Sequence, residues 1–142
     1  MHPITSENHN VADVATELGN RLTRFNEDRA GPLQTRHIAL TVRDDDGKMI
    51  AGLTGEIFWN AFYIHLLWVD EEYRGHGYGR SLLERAEALA IEVSCACVYL
   101  STFEFQAPGF YARHGYSLVG ELAGVPPGAR RQWFCKTLST AS

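Results

Sequence analysis

The chain predicts an α/β protein built on one mixed β-sheet with helices on both faces. Three observations carry that expectation. Short runs rich in β-branched and aromatic residues recur at 37–42, 49–59, 62–69, 96–103, 116–122 and 131–138, each of strand length. Two longer stretches, 10–26 and 79–93, repeat apolar residues at helical spacing. The two patterns also interleave in the middle of the chain, where a glycine-rich turn leads from a strand straight into a helix.

With 142 residues and 45% hydrophobic composition, the chain reads as a single domain over 1–142 with a core of ordinary size. A net charge of -4 and a pI near 5.8 argue against nucleic acid or an anionic membrane as partner and suit a cationic one. No apolar run approaches the roughly 20 residues of a membrane span. The opening Met-His-Pro-Ile-Thr-Ser-Glu lacks a basic and apolar signal region, so a cytoplasmic setting is expected. Cys95, Cys97 and Cys135 do not all pair internally, and Cys95-x-Cys97 is not the spacing of a zinc knuckle or redox motif. They read as small hydrophobes in a reducing compartment, and no metal site is expected.

In chain order, Val11, Val14, Ala15, Leu18, Leu22 and Phe25 form one stripe of a helix over 10–26 that should cover a sheet. Asn10 suits its N-cap and Asp13 its first turn. From Asn26 to Arg36 the polar residues with Gly31 and Pro32 read as a loop or a broken second helix. His37 to Val42 and Met49 to Trp59 are antiparallel strands around Asp44-Asp45-Asp46-Gly47, because Asp-Gly suits a turn needing positive φ. The acidic run lacks the length and terminal glutamate of a calcium loop. Tyr63, Ile64, Leu66, Trp68 and Val69 form a strand too apolar for an exposed edge, so it is central. Beyond Gly79, Leu82, Leu83, Ala86, Leu89, Ala90 and Val93 line one helix face, with Arg80, Glu84, Arg85 and Glu87 on the other. Ala96 to Phe103 is a further buried strand. Ala107-Pro108-Gly109 opens a short helix through Arg113 that Gly115 ends, and strands at Tyr116 to Leu122 and Arg131 to Leu138 follow.

Gly75, Gly77 and Gly79 stand at every second position between the central strand and its helix. Glycines there let a ligand approach the backbone, and the first helical turn offers unpaired N–H groups and a positive dipole end. The turn is therefore an anion cradle or simply a tight turn. It is not a dinucleotide fingerprint, which would need glycine at the position of Arg80, and no Gly-Lys-Ser/Thr follows to make a Walker loop.

Arg74-x-x-Gly77-x-Gly79 after Val69-Asp70-Glu71-Glu72-Tyr73 resembles the acetyl-CoA pyrophosphate loop of the GNAT superfamily of acyl-CoA-dependent N-acyltransferases. Phe110-Tyr111-Ala112-Arg113-His114-Gly115-Tyr116 resembles that family's Phe-Tyr-x-x-x-Gly-Phe segment, and the likeness is clearest over 36–138. The resemblance implies a GNAT-like fold, in which a further first strand would fall near Ile4, and acetyl-CoA as cosubstrate. It implies pantetheine contacts from the backbone near Leu67 and Val69, and pyrophosphate contacts from Arg74, Gly75, His76, Gly77, Tyr78, Gly79, Arg80 and Ser81. Arg80 can equally pair with Glu84 on the surface.

The resemblance makes Tyr111 the acid that protonates departing CoA thiolate. A phenol with a pKa of about 10 stays protonated at neutral pH. For the base, His65 ranks ahead of Glu56 and Glu104, although a lone histidine in an apolar strand is ordinarily a core residue. Glu104 occupies a slot where the family often has asparagine. The implied activity is acetyl transfer to a primary amine, of a small cationic molecule or else of a protein lysine or N-terminus. A non-catalytic acetyl-CoA-binding module would need only the cradle and the strand. Val125-Pro126-Pro127-Gly128 with Trp133 and Phe134 could wall the acceptor pocket or form a homodimer face.

Overall fold

The computed structural model describes residues 1–138. These residues fall into two compact units, one ending at Leu33 and one beginning at Gln34. In the first, residues 1–10 contain no strand, so the one expected near Ile4 is absent. Helix α1 runs Val11–Ala30, four residues past the predicted end, since Glu27, Asp28, Arg29 and Ala30 are helix-compatible and the break comes only at Gly31. Gly31 takes a φ of 87° there and donates its N–H to the Glu27 carbonyl. Asn10 precedes the helix, but its side chain donates to Glu7 Oε1 at 3.4 Å and caps nothing. None of α1's residues is buried, the apolar stripe included.

The second unit follows the predicted order: β1 Arg36–Arg43, β2 Met49–Phe58, β3 Ala61–Val69, α2 Tyr78–Glu92, β4 Cys97–Phe103, α3 Phe110–Arg113, β5 Ser117–Ala123 and β6 Arg130–Thr137. The strands form one six-stranded sheet in the order β1-β2-β3-β4-β6-β5, with β3 central as expected. Every pair is antiparallel except β3 and β4, the pair that α2 connects. No helix among the described residues is long and apolar enough to cross a membrane.

One face of the sheet, the inner face, is packed. Leu53, Ile57, Phe62, Ile64, Val98 and Leu100 meet Leu82, Leu83, Ala86 and Ala90 of α2, all buried. Fully burying a side chain such as Phe62 or Leu83 contributes roughly 1.5–3 kcal/mol. Helix α3 joins the same face, with the Tyr111 ring 5.7 Å from that of Phe134. The alternate residues of the strands point to the other, outer face, where Leu66 and Trp68 are exposed and Phe103 is half-buried.

Glu87 departs from the expected polar side of α2. It is 9% exposed, accepts Tyr116 Oη at 3.0 Å and pairs with Lys136 Nζ at 2.7 Å. Lys136 also donates to the His114 carbonyl at 3.0 Å. The helical projection sees only a charge. It does not see that β6 brings a lysine inward to neutralise it.

Candidate active site

Two irregularities in β3 create the site. Pairing with β2 passes from Thr54–Leu66 directly to Gly55–Ile64, so His65 is the extra residue of a β-bulge. Gly55 permits this, because a Cβ there would lie 2.5 Å from the Tyr63 carbonyl oxygen and 2.6 Å from the Phe62 ring. Pairing with β4 then stops at Ile64–Leu100, although β3 continues to Val69 and β4 to Phe103. The two central strands diverge into a gap, and no strand pairs with the β3 backbone through Leu67 and Val69 on that side among the described residues. Such an edge can accept the amides of an extended ligand as an added strand.

The far end of the gap leads to the glycine turn. Asp70 Oδ1 accepts the Glu72 N–H at 2.9 Å to start a single 3-10 turn, Glu71–Tyr73. Gly75 and Gly77 then take φ values of 81° and 87°, and neither would meet anything at its Cβ position. Gly79 serves another purpose: its Cβ position lies 3.3 Å from the Phe110 ring, so its smallness lets α2 and α3 close up. The first helical bond of α2 is Ser81 N–H to the Gly77 carbonyl at 3.0 Å. The amides of Tyr78, Gly79 and Arg80 precede it, free to bind an anion at the positive end of a 15-residue helix.

Side chains of the predicted cradle contribute less than its backbone. Arg80 is held by Glu84 at 2.8 Å, the surface pairing anticipated for it, and that contact raises the Arg80 pKa and lowers that of Glu84. Arg74 Nε donates to the Val69 carbonyl at 3.2 Å, which fixes the entry to the turn. Tyr78 packs towards the core with its ring 6.2 Å from Tyr73, while His76 is exposed at the tip.

Tyr111 sits on the inner side, next to Phe110, which touches the start of α2. It is 7% exposed, enclosed by Phe110, Tyr116 and Phe134 at ring distances of 5.1, 5.8 and 5.7 Å. Its hydroxyl makes no hydrogen bond among the described residues. Burial pushes its pKa up to about 12, so it is a proton donor at any physiological pH. Tyr116 is pushed higher still by burial, with the Glu87 carboxylate beside it.

His65 lies on the outer face with Tyr63 by simple alternation, with 48% of its side chain exposed, so it is no core histidine. Its Nε2 lies 3.3 Å from Glu56 Oε1, and His37 Nδ1 approaches the other oxygen of Glu56 at 3.8 Å. Two of the three base candidates therefore belong to one cluster. Glu104 stands apart beyond the end of β4, its N–H donated to the Arg130 carbonyl at 3.0 Å. The cluster rests on Tyr63, whose ring is 4.6 Å from that of His65 and 4.9 Å from that of Tyr99.

The three cysteines are free, and burial raises the pKa of Cys95 and Cys97 alike, so neither is an activated thiolate. No group of three or more His, Cys, Asp or Glu side chains among the described residues is placed so that it could hold a metal ion. A polar hollow lined by Glu17, Asn20, Arg21 and Arg24 lies on α1 alone and shares no residue with the gap.

Sequence reasoning missed the Tyr63–Tyr99 pair and Arg131. The alternation Arg131, Trp133, Cys135 against Gln132, Phe134, Lys136 held the signal, since it puts the first three on one face of a strand. It also separates Trp133 from Phe134, which were expected to act together: Phe134 packs on the core and Trp133 faces outward.

Comparison with known proteins gives a consistent picture. The model of the acetyltransferase (GNAT) family matches residues 9–116. Over 93 residues the chain is 42% identical to the blasticidin-S acetyltransferase of Streptomyces morookaense, covering 65% of this chain and 68% of that one. The crystal structure of an acetyltransferase from Bacillus cereus superposes with a TM-score of 0.86 at 31% identity, covering 97% and 98% of the two chains. An aminoglycoside 6'-N-acetyltransferase complexed with coenzyme A shares the fold at 17% identity and a TM-score of 0.63, with 75% of each chain covered.

Proposed function

The chain belongs to the acetyltransferase (GNAT) family, and on that premise we propose that it transfers the acetyl group of acetyl-CoA to the primary amine of a small cationic molecule, by direct attack within a ternary complex. The observation that carries this reading is the gap between β3 and β4, with the free amides of α2 at its end and Tyr111 beside them. The pyrophosphate fits those amides, and the pantetheine arm fits the unpaired edge at Leu67 and Val69.

In this reading His65 takes a proton from the acceptor ammonium, and Glu56 stabilises the imidazolium that results. The amine nitrogen attacks the thioester carbonyl carbon, and the carbon–sulfur bond breaks. The nitrogen of the adduct gives its second proton to solvent and the sulfur takes the Tyr111 hydroxyl proton, leaving CoA thiol and an N-acetyl amide; the phenolate then recovers a proton from solvent and the imidazolium releases its own. Burial that raises Tyr111 also disfavours a nearby thiolate, so donor and acceptor are displaced together and transfer stays feasible.

A small acceptor is supported by the relative that matches over 93 residues, whose name specifies blasticidin S. The Glu56 carboxylate beside the aromatic floor suits an ammonium group. The cytoplasm is the setting we propose, on the strength of three unpaired thiols. Steady-state assay of CoA release over a panel of small amines tests the whole. Tyr111→Phe should lose roughly 100- to 10,000-fold in kcat with acetyl-CoA binding retained by calorimetry, and His65→Ala a similar amount. Full turnover by Tyr111→Phe would discard the acid, and absence of acetyl-CoA binding by the wild type would discard the function.

A further inference from the structure

Among the described residues, Arg131 is the one arginine that is not exposed. Its guanidinium lies 5.0 Å from the Trp133 ring centre and 6.0 Å from that of Phe103, and its Nη2 donates to Ser101 Oγ at 2.9 Å. No carboxylate stands within ion-pair distance of it among the described residues, whereas Arg80, Arg130 and Lys136 each have one. A guanidinium has five N–H donors in a planar fork, and most of these remain free here on a half-desolvated, aromatic-backed group. Such a group is poised for an oxyanion held in two parallel bonds.

The register says where that oxyanion would lie. Ile64 and Leu100 are the last paired residues before the gap, so the next residues, His65 on β3 and Ser101 on β4, flank its mouth. Tyr63 and Tyr99, the pair just before, lie on the outer face. His65 follows Tyr63 on that face through their ring contact, and Ser101 follows Tyr99 by alternation. The mouth thus carries a His65–Glu56 pair on one lip, an unpaired guanidinium on the other and two aromatic rings as floor.

We propose that Arg131 is a specificity-determining residue that binds an acidic group of the acceptor, a carboxylate or phosphate, so that the acceptor is a dipolar small molecule whose amine is presented to His65. This rests on the acetyl-transfer reading and changes its acceptor from a simple cation to a molecule that carries an acid beside its ammonium group. The acid end docks at Arg131 and Ser101, and the ammonium end faces Glu56.

Matched acceptors test it: 4-aminobutyrate against 4-aminobutanamide for a carboxylate, and phosphoethanolamine against ethanolamine for a phosphate. The wild type should favour an acid-bearing member roughly 10- to 100-fold in kcat/KM, through KM. The pair that shows the preference identifies which acid is read. Arg131→Gln should erase that preference by raising KM for the acid-bearing member, and Arg131→Lys should restore part of it. Calorimetric titration of the same compounds into the CoA-bound protein should show the same order and does not depend on turnover. Equal handling of both members in both pairs would overturn the proposal, as would a preference that survives in Arg131→Gln. An equal fall in kcat for every amine would also overturn it, since Arg131 would then serve the thioester. Failure of acetyl-CoA itself to bind would sink the acetyl-transfer reading instead, and calorimetry with acetyl-CoA alone separates the two cases.

Discussion

At Gly77 a turn and the proposed cofactor site depend on one residue. Its φ of 87° lies in the left-handed region, and nothing occupies the space where a side chain would stand. A substituted residue meets two separate costs there: backbone strain of about 1–2 kcal/mol, and obstruction of the space through which an anion reaches the amides of α2. Gly77→Val should therefore lose acetyl-CoA affinity by far more than its stability change would suggest. Calorimetry beside a thermal melt checks this, and unchanged affinity in a folded protein would remove the cradle assignment. Gly79 is a contrast, since its role is contact with Phe110, and alanine there would push on the helix that bears Tyr111.

At the scale of elements, the Glu87–Lys136–Tyr116 network ties α2 to β6 and to the end of α3. Lys136 reaches the carbonyl of His114, the residue that follows α3, and the Tyr116 N–H reaches the Tyr111 carbonyl at 3.0 Å. The pairing is largely enclosed, with side-chain exposures of 30% for Lys136 and 12% for Glu87. Removing one charge leaves the other stranded, whereas removing both does not. Lys136→Met should cost about 2–3 kcal/mol in urea unfolding, scaled down from a fully buried pair. Adding Glu87→Gln should recover part of that loss. Equal and additive losses would show that the charges do not interact.

For the molecule as a whole, the arrangement predicts the order of chemical events. The raised pKa values of Cys95 and Cys97, with the gap that we propose for cofactor and acceptor together, favour direct transfer over a covalent acetyl-enzyme. Initial-rate plots at several fixed acetyl-CoA concentrations should intersect, and the triple variant Cys95→Ala, Cys97→Ala, Cys135→Ala should keep near-normal turnover. Parallel lines, with an acetylated cysteine detected by mass spectrometry after acetyl-CoA alone, would reverse the mechanism while leaving the cofactor site in place.

The sequence by itself determined the element order, the central position of β3 and the strand–glycine turn–helix unit, because these follow from local periodicity and from backbone preferences at glycine. The short helix that bears Tyr111 was legible in the same way, whereas the role proposed for Tyr111 came from a resemblance to a family motif. Three features were decided only by the tertiary structure. Leu66 and Trp68 face solvent while Leu67 and Val69 turn to the core because a bulge at His65, permitted by Gly55 on the neighbouring strand, shifts the alternation. Glu87 is buried because a lysine 49 residues away meets it. Arg131 reaches the mouth of the gap because β6, the last strand in sequence, inserts beside β4. Periodicity tells which side of its own element a residue occupies. What stands opposite that side is set by pairing between strands far apart in the chain, and a linear pattern carries no record of it.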